Sequence, residues 1–150
     1  MRDRISQAMK DALKSGNKQR LGTLRLMLAA IKERDIASEM QGGGSALGEA
    51  ELLQVLQKMI KQRRESAETY AKGGRPELAA QEQAEIAVIE EFLPQQMSEN
   101  DTRAAVAAVA KELGAGSVKD MGRAMGELKK RYAGQMDFAK ASAMLKELLK

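Results

Sequence analysis

A chain of 150 residues with 43% hydrophobic content, 3% aromatic residues and no cysteine or histidine can bury one good core and a smaller appendage, but not two full-sized domains. Disulfides, thiol nucleophiles, imidazole bases and the commonest zinc and haem ligands are excluded together. The net charge of +4, concentrated beyond residue 93, would draw the chain to phosphates, although mild basicity is common among proteins that never meet nucleic acid.

Leu, Ile, Met and Ala supply the apolar content and only two prolines interrupt it, a mixture that favours helices over sheets. Ile5, Ala8, Met9, Ala12 and Leu13 recur at helical spacing. Gly16 follows where a helix over 2–15 needs a left-handed cap. Leu21, Leu24, Leu28 and Ile31, continued by Ile36, predict a second helix over 18–40, ended by Gly42-Gly43-Gly44-Ser45, a flexible turn. A third stripe of Leu52, Val55, Leu56, Met59, Ile60 and Ala67 predicts a long amphipathic helix over 48–72. On its wet side Lys61 and Glu65, like Arg64 and Glu68, stand at i,i+4.

Gly73-Gly74-Arg75-Pro76 ends that helix and places a proline in the first turn of the next, which runs through Leu78, Glu82, Ile86 and Ile89 to Phe92. Short connections make these four helices antiparallel neighbours, hence a bundle over 1–93. Pro94 breaks the run, and 93–97 reads as a hinge. Beyond it, Ser98 with Asp101 and Ser117 with Asp120 have capping-box form. The first precedes a helix bearing Val106, Val109 and Leu113, the second one bearing Met121, Ala124, Met125 and Leu128. Asp137 can cap a last helix with Phe138, Ala141, Leu145 and Leu148. The expectation is an all-α protein: an N-terminal four-helix bundle, 1–93, and a small C-terminal three-helix domain, 94–150.

Several pieces of this chain together resemble the GatB/YqeY family: Arg20-Leu21-Gly22-Thr23-Leu24-Arg25 with Ala30-Ile31-Lys32; Ile60 to Ser66 (IKQRRES); Gly74-Arg75 with Leu78 and Glu82; Phe92-Leu93-Pro94; Met121-Gly122-Arg123-Ala124-Met125; and Gly134 with Asp137. The resemblance covers almost the whole chain. It implies a helical bundle joined to a C-terminal domain similar to the tail of the B subunit of glutamine-dependent aminoacyl-tRNA amidotransferases, which contacts the elbow of tRNA. The family association is with carbon–nitrogen ligase activity using glutamine as amide donor, and this chain resembles the tail rather than the catalytic parts. It is therefore expected not to be catalytic alone.

The candidate RNA-binding residues are Lys119, Arg123, Lys129, Lys130, Arg131 and Lys140, a run able to neutralise backbone phosphates. The competing interpretation is a solvated charged surface. Gly122 and Gly134 admit close approach of another backbone, or serve packing and caps. Arg25, Arg63, Arg75 and Glu82 are candidates for a groove on the bundle that grips a phosphate or a carboxylate; a solvated ion-pair lattice is the alternative. Methionines such as Met9, Met27, Met59, Met121, Met125 and Met144 fill a core or make an adaptable surface. Glu82, Glu85, Glu90 and Glu91 lack the histidines of a bundle metal site, Gly42 to Ser45 lack the Gly-Lys-Ser/Thr of a phosphate loop, and Ser66 has no base.

No catalytic residue, metal or cofactor is expected. The expected partner is tRNA, bound by shape and phosphate contacts, with an aminoacyl-tRNA-handling enzyme as a second partner. The alternative is a helical protein-interaction module for such an enzyme, or a non-catalytic part of a carbon–nitrogen ligase complex. No apolar run suits a signal peptide or a membrane span, so the expected location is the cytoplasm.

Overall fold

Gly16, at φ 74°, turns the chain out of its first helix and donates its N–H to the Leu13 carbonyl, after which the Asn17 side chain caps the second helix by accepting from Arg20 N–H at 3.1 Å. In the computed structural model, residues 1–42 and 47–149 are described; the expected Gly43-Gly44-Ser45 turn and Lys150 lie outside them. Among the described residues the helices are α1 (Arg2–Ser15), α2 (Lys18–Met40), α3 (Glu49–Lys72), α4 (Pro76–Glu90), α5 (Glu99–Glu112), α6 (Met121–Tyr132) and α7 (Phe138–Leu148). A 3-10 turn, Val118–Asp120, leads into α6. The architecture is all-α, with a cluster of four helices followed by a cluster of three, as expected.

The chain divides into two compact units, Met1–Pro94 and Gln95–Lys150. In the first, α1 pairs with α2 and α3 with α4, and α2 packs on both α3 and α4. Ile5, Leu24, Met27, Ile31, Leu56 and Ile89 are fully buried at its centre. Each such side chain contributes about 1.5–3 kcal/mol by leaving water. Two residues placed in apolar stripes from sequence lie outside: Leu13 is exposed on α1 and Ile36 on α2. A period of 3.6 carries the stripe past each, because Ala12 and Ile31 already occupy the inward angle.

Arginine ties these helices together. Arg2 on α1 makes two hydrogen bonds of 2.9 and 2.8 Å to the Asp35 carboxylate on α2. Arg63 on α3 donates to Glu85 on α4 at 3.0 Å, and Arg64 to Glu90 at 3.3 Å. Arg20 on α2 pairs with Glu91 just past α4. The Arg4 guanidinium sits 5.2 Å from the centre of the Phe92 ring and donates to the Glu91 carbonyl.

In the second unit, α5, α6 and α7 pack mutually around Val106, Val109, Ala124, Leu128, Met136 and Leu145. Ser98 caps α5 by accepting from Asp101 N–H at 3.0 Å. The Asp120 carboxylate accepts from the Gly116 and Ser117 N–H groups ahead of α6, and Asp137 accepts from Ala139 and Lys140 N–H at the start of α7. Residues read as a hinge also belong to this scaffold: Met97 N–H bonds the Gln135 carbonyl at 2.8 Å, and the Gln96 amide bonds the Gly134 carbonyl.

Candidate functional site

Helix α6 presents two very different faces. Ala124 and Leu128 are wholly buried against α5 and α7. Gly122, Arg123, Gly126, Lys129 and Lys130 are all exposed on the other side. A Cβ built on Gly122 or Gly126 would meet nothing within 4 Å. Neither glycine is there for packing, and Gly126, in the helix interior, costs about 1 kcal/mol relative to alanine. Their effect is to leave a strip of bare helix backbone, bordered by cations.

The six basic candidates separate by what they touch. Arg131 reaches back to Glu112 on α5 and to Glu127 on its own helix, both at 2.8 Å, so its guanidinium clamps two helices. These two carboxylates raise its already high pKa. Arg123 donates to the Leu113 carbonyl at 2.9 Å, closing the C-terminus of α5, and lies 3.4 Å from Asp120. Lys119, Lys129, Lys130 and Lys140 are exposed and form no ion pair with a described carboxylate. Lys129 and Lys130 occupy the last turn of α6 and Lys140 the first turn of α7, on either side of the 133–137 connection. Lys119 stands at the far end of α6, in the 3-10 turn.

The two glycines singled out from sequence divide likewise. Gly134 is buried with φ 77°, and its carbonyl accepts the Gln96 amide at 2.6 Å. It serves the turn between α6 and α7. Gly122 lies open. Gly126, which sequence reasoning passed over, completes the strip at i+4; the signal was a second glycine one turn on in a helix whose apolar positions are Met121, Ala124, Met125 and Leu128.

The four groove candidates on the first unit are not linked by ion pairs. Arg63 is committed to Glu85 rather than Glu82, with both side chains only 15% exposed, and also donates to the Met59 carbonyl. Arg25 is exposed on α2, and Arg75 is the cap residue before α4. Neither these two nor Glu82 forms an ion pair among the described residues. Shallow clefts on this unit are lined elsewhere, one by Gln62, Glu65, Ser66, Thr69 and Tyr70 along α3, another by Arg4, Gln7, Asp11, Arg20, Glu91 and Phe92. Among the described residues, no group of three acidic, histidine or cysteine side chains is placed to hold a metal ion.

The family model for the Yqey-like protein matches residues 2–149. The chain belongs to the YqeY family. It is 30% identical over 94 residues to an uncharacterized protein of Schizosaccharomyces pombe, covering 63% of this chain and 72% of that one. It is 36% identical to the altered inheritance of mitochondria protein 41 of Meyerozyma guilliermondii over 59% of this chain and 44% of the relative. The Saccharomyces cerevisiae protein of the same name is 30% identical over 58% and 45%. This YqeY-family chain thus spans less than half the length of the mitochondrial relatives it matches.

Those named relatives correct the cytoplasmic expectation, because they are mitochondrial proteins. The expectation failed for a physical reason. The lack of an apolar run in these residues does not distinguish one compartment from another. No helix among the described residues is long and apolar enough to cross a membrane.

Proposed function

We propose that this YqeY-family protein is a non-catalytic accessory that holds folded tRNA against its C-terminal unit, in the manner of the amidotransferase tail it resembles. The observation that carries the reading is the outer face of α6, where Gly122 and Gly126 leave backbone bare beside Lys129 and Lys130, which form no ion pair among the described residues. A sugar-phosphate backbone can approach such a strip without displacing side chains, while the ammonium groups neutralise its charge. Base reading has little support in this unit: its aromatics, Tyr132 and Phe138, are half-buried against the core, so no stacking platform is on offer. Recognition then falls to shape and phosphate spacing.

The test is binding of the purified protein to total tRNA and to an RNA duplex of equal length, at two salt concentrations, beside Gly126→Glu and a Lys129→Ala/Lys130→Ala double variant. Preference for tRNA is expected. Removing both lysines should lower the log–log salt slope by about 2 units, from roughly 0.9 per phosphate contact, and Gly126→Glu should abolish the preference. Affinity unmoved by either variant would remove α6 from the reading. A second role, gripping a partner enzyme, draws on the cleft between α5 and α7, lined by Arg103, Val106, Ala107, Met144, Glu147 and the exposed Leu148. Leu148→Asp should leave tRNA binding intact and weaken association with such a partner; loss of tRNA binding in that variant would count against two separate surfaces.

A further inference from the structure

Helix α2 is packed on one side only. Thr23, Leu24, Met27 and Ile31 are buried, whereas Gly22, Leu26, Ala29, Glu33, Ile36 and Met40 are all exposed. These six positions follow one another at alternating steps of four and three, the spacing of a coiled-coil seam. Leu26 is 47% exposed, Ile36 48% and Met40 84%. Single exposed apolar residues are ordinary, but three large ones on one seam of one helix make an apolar edge, interrupted at Glu33. The row on the bundle side of the seam is small, Thr23, Ala30 and Ala37; the row on the open side is charged, Arg25, Lys32 and Glu39. None of Arg25, Lys32, Glu33 and Glu39 has an ion-pair partner among the described residues.

We infer that a second copy of this chain lays its own α2 antiparallel along this seam, forming a two-fold homodimer. Charge complementarity selects both the occupant and the direction. In an antiparallel pair the two open rows face each other, which sets Arg25 opposite the partner's Glu39 and Glu39 opposite the partner's Arg25, with Lys32 meeting the partner's Lys32 on the two-fold axis, where both ammonium groups stay in water. Leu26 then meets the partner's Ile36, and Met40 lies over the partner's Gly22, large against small. The one polar seam residue is also provided for: Glu33 faces the partner's Ala29, one turn from the partner's Arg25 and Lys32. Parallel pairing gains no opposite-charge contact, since it leaves the charged rows opposite Thr23, Ala30 and Ala37, and it sets Glu33 against the partner's Glu33 inside the seam rather than at its edge. A seam of one helix buries less than the roughly 800 Å² per partner of a standard interface. The dimer is accordingly weak.

Sedimentation equilibrium of the full chain from about 1 µM to about 1 mM tests this directly. A reversible monomer–dimer equilibrium is expected, absent in Ile36→Lys. Arg25→Glu and Glu39→Arg should each weaken it roughly tenfold, and the two together should restore it. All three positions are exposed, so far-ultraviolet circular dichroism should show unchanged helix content, which separates lost association from lost folding. A chain that stays monomeric at about 1 mM overturns the inference, as does a dimer indifferent to Ile36→Lys. Loss in both single charge variants without rescue in the pair overturns the antiparallel arrangement.

Discussion

The two units both spend arginines on bridges between elements, and the smaller one sets exposed lysines beside them. In Met1–Pro94 arginines are spent between helices, Arg2 on Asp35, Arg20 on Glu91, Arg63 on Glu85 and Arg64 on Glu90. In Gln95–Lys150 the two arginines of α6 are likewise consumed by Glu112, Glu127, Asp120 and the end of α5, but the lysines around them are left to solvent. The planar guanidinium, with its fork of donors, suits fixed bridges, and the mobile, strongly hydrated ammonium suits an external anion. The basic run of this helical chain therefore divides by residue type: arginine as staple, lysine as reach.

The largest test of that division removes the support under each face. Leu128→Ala deletes a wholly buried side chain from the smaller core, a loss of about 2–5 kcal/mol, large for a unit of this size. Hydrogen exchange should accelerate throughout α5, α6 and α7, with tRNA binding lost. Ile89→Ala should do the same to α1–α4. Protection in α5–α7 unchanged by Leu128→Ala would mean that the second core does not depend on α6 as described.

Next in size is the Arg63–Glu85 pair, the most sheltered of the staples. Arg63→Ala leaves a largely buried carboxylate without its partner, at a cost of about 1–3 kcal/mol, visible as a lower urea midpoint. Lys130→Ala should leave that midpoint within about 0.5 kcal/mol, as for most surface changes. Equal destabilisation by both would erase the distinction between staple and reach.

A smaller effect has the sharper sign. Gly126→Ala adds a methyl where nothing lies within 4 Å, so α6 should gain about 1 kcal/mol while tRNA affinity falls as the bare strip is filled. Stability rising without loss of affinity would show the glycine to be incidental.

How much of the fold and the site is legible in the sequence follows from the kind of signal. Helix ends are readable because they are local: Gly16, Pro76, Ser98 and Asp137 act within four residues of themselves. Three stripe positions are not resolved; Leu13, Ile36 and Leu148 are apolar yet exposed, because hydrophobicity reports composition of a face and not which neighbour covers it. The basic run is visible, but its division is not. Whether Arg131 reaches Glu112, nineteen positions away in the chain, or Arg63 chooses Glu85 over Glu82 depends on helix packing that no local pattern encodes. Gly126 escapes notice because an exposed glycine looks the same in sequence as one that packs.

The smallest effect concerns acid. The Arg2 hydrogen bonds, with help from its charge and from the Leu47 backbone, hold the Asp35 carboxyl below its ordinary range. A carboxyl pKa depressed by folding contributes stability that is fully present above the unfolded value of about 3.9 and is lost as pH falls through the folded value. Arg2→Met should therefore destabilise the first unit at pH 7, and the gap between variant and parent should close on acidification below about pH 4. The pair is partly open to water, so the effect is modest, and its measure is the difference in urea midpoint at the two pH values. A gap that persists undiminished at pH 3 would assign the role of Arg2 to the packing of its alkyl stem rather than to its charge.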